Sequence, residues 1–553
     1  MLSVPSVGSG VVTTLKRIMH VRHLVAAVGA CVLTTGAALG QSPPPGAGAL
    51  LTRPERTSFN ETSRYDDVVA FMEAASKAAP DVIHVTTFGK TSEGRSLPLA
   101  VAGAPEATPE AVRRTGKLRV YIQGNIHAGE VEGKESAQML LRELAAGQHR
   151  DWLRSMVFLI APIYNADGNE RFSLTSRGRQ YGPMAGQGQR PNAQGYDLNR
   201  DHMKLDSPEA RAFVKLMNDF DPQVSLDLHT TNGTRHAYFL TYAPPLNPAT
   251  DPAIIDLLRR DWFPWVTRTI KTKYDWDYYY YGNVEGRGAP GTPEERGWKS
   301  FDSRPRFNNN YIGLRNRFAI LSEAYAYATF EDRIKATNRF VEETLNYAHA
   351  HAGDIRTLTD AADRKRIIGA RLALRAELER APELVEILLG DVVEEKNSND
   401  GHPMERRADV KRPERMPEYG TFKATETERV PAAYYVPANL TKVVQHLQTH
   451  GIKATPLTRA TSVQVEEFQI SASEVGREFE KHKERTLKGA WVAAERQLPA
   501  GTLRVDMTQP LARLAFYLIE PRSDDGLVNW NVLDEAIGDS RVFPIVRACP
   551  SCS

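Results

Sequence analysis

The stretch "LRVYIQGNIHAGEVEGKESAQMLLRELAAG", residues 118–147, decides how the chain is read. Its first seven residues are mostly apolar and centre on Val120, Tyr121 and Ile122, a strand signature. Residues 132–147 carry a helical pattern that stops at Gly147. Strand, Gly-bounded turn and helix together make one unit of an α/β fold. The turn also places His127 and Glu130 three residues apart. Two readings compete there. They are polar residues of a turn, or they are two ligands of a metal that a third residue completes from elsewhere.

The alternation continues on both sides. "YDDVVAFMEAASKAA" (65–79) and "PEARAFVKLMNDF" (208–220) read as helices. "MVFLIAPIYN" (156–165) is almost continuously apolar, as a strand buried on both faces must be. "QVSLDLH" (223–229) and "RFAILSEAY" (317–325) read as further strands, and a helix runs through "RIKATNRFVEETLNYAHAH" (333–351). Such alternation predicts an α/β domain over residues 61–352, with a mixed central sheet flanked by helices. Beyond it, "DAADRKRIIGARLALRAELERAPELVEILL" (360–389) is charged and reads as helical. Residues 394–418 are polar, hold three prolines and show no periodicity. Residues 353–418 are therefore expected to be a helical and polar linker. "PAAYYVP" (431–437), "SVQVEEFQIS" (462–471), "GTLRVDM" (501–507) and "RLAFYLIE" (513–520) read as short strands of a smaller β-rich domain over 419–553.

At 553 residues the chain is too long for one ordinary core. Its 70 basic and 68 acidic residues leave a net charge of +2, which removes any electrostatic case for nucleic acid or an anionic membrane as partner. The first 40 residues differ. Lys16, Arg17 and Arg22 precede the apolar "LVAAVGACVLTTGAALG" (24–40), and Ala38 and Gly40 sit before Gln41. This is the pattern of a secretory signal peptide, with Met19 as an alternative start and residues 41–60 as a linker. It predicts a secreted or periplasmic protein with no stable membrane anchor after cleavage. "CPSC" (549–552) has neither the βαβ setting of a redox pair nor the further cysteines of a zinc ribbon. It reads as a terminal disulfide or a disordered tail.

A catalytic zinc site needs three protein ligands and an open position for water. His127 and Glu130 follow a strand, where α/β sheets carry their sites. His229, in "SLDLHTTNG" (225–233), stands at the end of another strand and is the candidate third ligand. Between and around them lie "GKTSEGRSLPLAVAG" (89–103), "APIYNADGNERF" (161–172), "GQRPNAQGYDLNRDH" (188–202) and "AILSEAYAY" (319–327). In this order the segments resemble the zinc carboxypeptidase family, the carboxypeptidase A and B type, over residues 65–350. The form they suggest is a secreted bacterial one with a C-terminal extension.

The resemblance implies one zinc held by His127, Glu130 and His229, with Glu323 as the catalytic glutamate. It implies that Asn199 and Arg200 hold a substrate's terminal carboxylate. Arg190 matches the arginine that polarises the scissile carbonyl, with Arg177 and Arg179 as competitors. Tyr311 is the nearest match to a mobile tyrosine of the family, and its alternative is a packing tyrosine. The chemistry is coherent without the resemblance. Zinc lowers the pKa of a bound water, a carboxylate beside that water moves its proton, and a guanidinium fork suits a free carboxylate. Glu323 sits in an apolar strand, where a carboxylate is costly to bury without purpose.

The implied function is hydrolysis of C-terminal peptide bonds in peptides or proteins through a zinc-activated water. Two alternatives remain at this stage. One is a cell-wall peptide or acyl-amino-acid amidohydrolase on the same fold, and the other is a non-catalytic peptide-binding module. Here "NRDH" replaces the family's usual continuation of N-R, and "RPRFNNNYIGLRNRF" (304–318) does not align with its specificity markers, so side-chain preference stays open. "DYYYYGN" (277–283) is either a substrate wall or a strand and turn. "GPMAGQGQRP" (182–191) follows no strand and is not read as a phosphate loop.

Overall fold

Eight strands form the central sheet of the computed structural model, which describes residues 50–231, 233–284 and 293–549. The expected signal peptide, Cys31, Cys552 and the first part of the linker lie outside the described residues. In chain order the strands are β1 (Ile83–Lys90), β2 (Ser96–Ala102), β3 (Leu118–Gly124), β4 (Met156–Ala161), β5 (Val224–Thr230), β6 (Leu240–Ala243) and β7 (Tyr278–Tyr280). A two-residue strand β8 (Trp298–Lys299) lies outside this sheet, and β9 (Phe318–Ala324) completes it. The spatial order is β1-β2-β4-β3-β5-β9-β6-β7. The four middle strands β4, β3, β5 and β9 are mutually parallel, while β2 and β6 run antiparallel to their inner neighbours. The sheet is therefore mixed, with a parallel centre.

Side-chain alternation sorts the centre into two cores. Leu118, Val120 and Ile122 of β3 and Met156, Phe158 and Ile160 of β4 face helices Tyr65–Ala78, Glu132–Ala145 and Phe330–Ala350. Tyr121, Val157 and Leu159 face the other way, toward helix Pro208–Phe220. That second core does not end with the catalytic region. It continues through Phe468, Phe516 and Trp530, so the C-terminal residues share one apolar cluster with a face of the central sheet.

The C-terminal region is built on a six-stranded sheet. Its largest part is a hairpin of Thr461–Phe479 and His482–Leu498, closed by Glu480 and Lys481.

Four stretches differ from the sequence expectation. Residues 50–60, expected as linker, hold a helical turn at Arg53–Arg56 and are tied down by Arg142, which bonds Leu50 O and Glu55. Residues 353–418 are not a helical and polar linker. After helix Ala352–Arg364 they form strands Arg371–Glu379, Leu384–Leu389, Val392–Lys396, Pro403–Arg407 and Arg412–Tyr419. "RLALRAELE" has good helix formers, but its pairing with Thr421–Arg429 overrides that weak preference. Pro413 is tolerated because β8 covers only Glu418 and Tyr419 of its strand and leaves the rest as an edge. "RLAFYLIE" is a helix, Ala512–Ile519, buried along its whole length. A short run that is apolar all round has no periodicity to separate the two conformations. His482–Leu498 is a strand that the sequence reading did not single out.

Candidate active site

Parallel register brings the site together. Gly124 at the end of β3 pairs with Leu228, and His229 of β5 pairs with Glu323 of β9. Three strands thus deliver the His127 turn, His229 and Glu323 to the same edge of the sheet. The turn lies close against the sheet because two glycines allow it. A Cβ on Gly133 would stand 2.6 Å from Leu228 Cβ, and one on Gly124 would stand 2.8 Å from Gly133 C. Asn165 of the "NADG" motif fastens the turn from the side, donating to Ile126 O at 3.3 Å and Arg190 O at 3.1 Å.

One ligand atom from each of His127, Glu130 and His229 lies within 4.8 Å of the others, and all three residues are buried. His127 Nδ1 is 3.0 Å from Glu130 Oε1, and His229 Nδ1 is 2.9 Å from Glu130 Oε2. The outer nitrogens are held by carboxylates: His127 Nε2 by Asp197 Oδ1 at 3.0 Å, and His229 Nε2 by Asp227 Oδ2 at 2.8 Å. Donation of each Nε2–H to its aspartate leaves two Nδ1 lone pairs converging on a carboxylate. Such an arrangement repels itself unless a proton or a cation sits at the centre. The carboxylate–histidine pairs are also the usual outer support of a zinc site. The residues fit a divalent metal with a His₂Glu donor set.

Electrostatics agree. Burial works against the Glu130 carboxylate, yet His127 and Arg177 hold it well below the usual range. Burial likewise opposes a charged His229, but Asp227 and Glu130 raise it well above an ordinary imidazole. Burial pushes the Glu323 carboxyl up to about 8, reinforced by Glu130 and opposed by His229. Among the described residues no side chain hydrogen-bonds Glu323, which leaves its oxygens for solvent or substrate.

His127, Glu130, His229, Glu323, Arg190, Asn199 and Arg200 all line one cavity of about 350 Å³, joined by Tyr281, Phe301, Phe307 and Leu321. Of the three candidate arginines, only Arg190 is in its wall. Its Nε and Nη2 bond Asp197 Oδ2 at 3.0 and 2.8 Å, and its Nη1 is 3.6 Å from Glu130 Oε1. Arg177 instead braces Glu130 Oε1 at 2.9 Å and caps Thr230 O and Thr231 O. Arg179 is half-exposed and pairs with Glu405. Asn199 Oδ1 accepts from Asn308 N at 2.8 Å, and Arg200 lies over the Phe307 ring at 3.8 Å.

Tyr311 is not at the cavity, and the expectation for it is corrected. It is fully buried in helix Asn308–Leu314, where its hydroxyl meets His450 Nδ1 at 2.8 Å and accepts from Arg315 at 3.2 Å. The tyrosine in the wall is Tyr281, the last of the "YYYY" run, with its hydroxyl 3.0 Å from Asn283 Nδ2. That run was visible in the sequence as a possible substrate wall. Sequence reasoning missed the two orienting aspartates as well. Asp227 was within reach of it, since residues two apart on a strand share a face. Asp197 was not, because its approach to His127 spans seventy residues.

Fold and site together define an α/β metallohydrolase domain. Residues 68–282 match the family model for zinc carboxypeptidases. Carboxypeptidase 2 of Trichophyton tonsurans is 25% identical over 477 residues, covering 83% of this chain and 81% of its own. A shorter match, 30% over 117 residues, is to an inactive metallocarboxypeptidase of Saccharomyces cerevisiae, covering 20% of this chain and 26% of that one. The crystal structure of carboxypeptidase A from Helicoverpa armigera aligns with a TM-score of 0.40 at 17% identity, over 53% of this chain and 75% of that one.

Proposed function

We propose that the protein is a zinc-dependent metallocarboxypeptidase that removes C-terminal residues from peptides and proteins. The observation that carries this reading is one cavity shared by the His127–Glu130–His229 group, Glu323 and the Asn199–Arg200 pair. A single zinc at the three ligands would polarise a water into a nucleophile near neutral pH. Glu323 would accept a proton from the attacking water and return it to the leaving amine. Arg200, its plane set by Phe307, and Asn199 bind the free carboxylate of the substrate. Asp197 engages Nε and Nη2 of Arg190, so Nη1 is the donor left to meet the developing oxyanion. Tyr281 and Phe301 supply an aromatic wall for the residue being removed.

Peptides that differ only in a free or amidated C-terminus test the reading, with and without a chelator. Cleavage of the free acid alone, abolished by chelation, is expected. Equal cleavage of both would make the enzyme an endopeptidase or amidase, and no metal-dependent cleavage of either would leave a peptide-binding module. We also read residues 61–352 as the catalytic unit and the chain as exported. The basic, apolar and small-residue order of positions 16–40 supports export, and no helix among the described residues is long and apolar enough to cross a membrane. N-terminal sequencing from the native host should begin near Gln41; an intact residue 1–40 segment on cytoplasmic protein would overturn it.

A further inference from the structure

The carboxylate-binding side of the cavity is not made of sheet. Asp197, Asn199 and Arg200 lie on an irregular stretch whose only regular part is a single turn, Leu198–Arg200. Asp197 is its hub. One carboxylate oxygen holds His127 Nε2 and the Asn199 N–H, and the other holds Arg190, with Arg200 4.0 Å away. A shift of this stretch would disturb a metal ligand and both substrate-facing arginines together.

The tip of the C-terminal hairpin is docked on it. Glu480 Oε2 accepts the Asp197 N–H at 3.1 Å. Lys481 Nζ donates to Gln194 O at 2.6 Å and lies 4.0 Å over the Tyr196 ring. His482 Nε2 meets Asp206 at 2.8 Å. Three consecutive residues, nearly three hundred positions away in sequence, thus hold three points of one short segment. The same hairpin also steadies the facing wall. Glu484 bonds the buried Arg306 at 2.9 Å, next to the Phe307 on which Arg200 stacks.

The turn chemistry points the same way. Phe479 pairs with His482, so Glu480 and Lys481 form a two-residue turn, with φ of 49° and 66°. Such a turn prefers Asn-Gly, because other side chains are strained at positive φ. Two long charged residues at these positions work against the local preference. What they supply is reach across to the neighbouring segment.

We infer that the hairpin tip, chiefly through Glu480, is a positioning element for the carboxylate-binding side of the active site. This rests on the carboxypeptidase reading. Glu480 is a positioning residue, since it acts through Asp197. The C-terminal region is then a part of the catalytic apparatus that completes the clamp from outside the central sheet.

The test replaces the tip by the residues the turn itself favours, Glu480→Asn with Lys481→Gly, in the full-length zinc-loaded protein. The hairpin should keep its turn and the protein its melting temperature, while the contacts to Asp197 and Gln194 are lost. KM for a free-acid peptide should rise about tenfold, the scale of one lost hydrogen bond to a charged group, and kcat should fall with it because Asp197 also holds His127 and Arg190. The preference for free over amidated peptide should shrink by a similar factor. Glu480→Gln, which keeps an acceptor for the Asp197 N–H, should recover most of the loss relative to Glu480→Ala. Wild-type KM and wild-type preference in the double variant would overturn the inference. So would losses that vanish when rates are expressed per folded molecule, since the tip would then matter only to folding. If the wild-type enzyme itself shows no preference for the free acid, the carboxypeptidase reading falls first and takes the hairpin's role with it.

Discussion

The two sides of the cavity are held by different means. The proposed metal side stands on strand ends: β3 leads into the His127 turn, β5 carries His229 one residue before its end, and β9 carries Glu323 in register with it. Backbone ladders fix those positions, and glycines 124 and 133 let the turn close on them. The proposed carboxylate side stands on segments without ladders, 188–206 and 301–308. Side chains hold it instead: Asn165 to Arg190 O, Asn199 to Asn308 N, and the hairpin residues Glu480 and Glu484 from the far end of the chain. Strand register makes a rigid site from few residues. An irregular wall reaches comparable order only when other parts of the molecule press on it, and here the shared second core brings the C-terminal region close enough to do so.

The largest expected effect tests the metal side as a unit. His229→Ala removes one of the three proposed ligands and leaves the buried Asp227 with Gln123 as its remaining side-chain partner. Metal content should fall from about one equivalent to near zero, and peptide cleavage with it. Retention of full zinc and activity would break the contrast at its strongest point.

Glu323→Gln is the next in size. It leaves the ligands intact, so zinc content and KM should stay near wild type while kcat falls roughly a hundredfold to ten-thousandfold. A near-normal kcat would move the proton carrier elsewhere. The same variant has a second readout in metal-free protein. Burial raises the Glu323 carboxyl to about 8 in the fold, against about 4.3 for an unfolded glutamate. Between those values the unfolded chain gives up the proton first, so the wild-type fold loses stability as pH rises through the window. Below it both states are protonated and nothing is lost. Metal-free Glu323→Gln should therefore melt like wild type at pH 4 and above it at pH 9.

The smallest effect separates the two tyrosines. Tyr311→Phe removes a buried hydroxyl shared with His450 and Arg315, on a residue that does not line the cavity. Stability should drop by about 1 kcal/mol with kcat and KM unchanged. A kinetic defect without a stability change would return Tyr311 to the site and displace Tyr281.

The proposed metal side was legible because several short motifs, each weak alone, follow one another in the order of the zinc carboxypeptidase family they resemble. HxxE follows an apolar strand, His229 ends another, and Glu323 interrupts a third, each within a few residues of text. Nearly continuous apolar runs such as 156–161 have little choice but to be buried strands, and the helices at 65–78, 132–145 and 208–220 carry their own periodicity. The sequence by itself therefore determined the α/β centre, the three candidate ligands and the candidate base. It did not determine which of Arg177 and Arg190 faces the cavity, whether Tyr281 or Tyr311 lines it, or that "RLALRAELE" pairs as a strand while "RLAFYLIE" coils into a helix. Nor did it show that Glu480 touches Asp197. These were decided by contacts between residues far apart in the chain, where local preference is weak and burial, register and hydrogen-bond satisfaction choose among conformations of similar intrinsic energy.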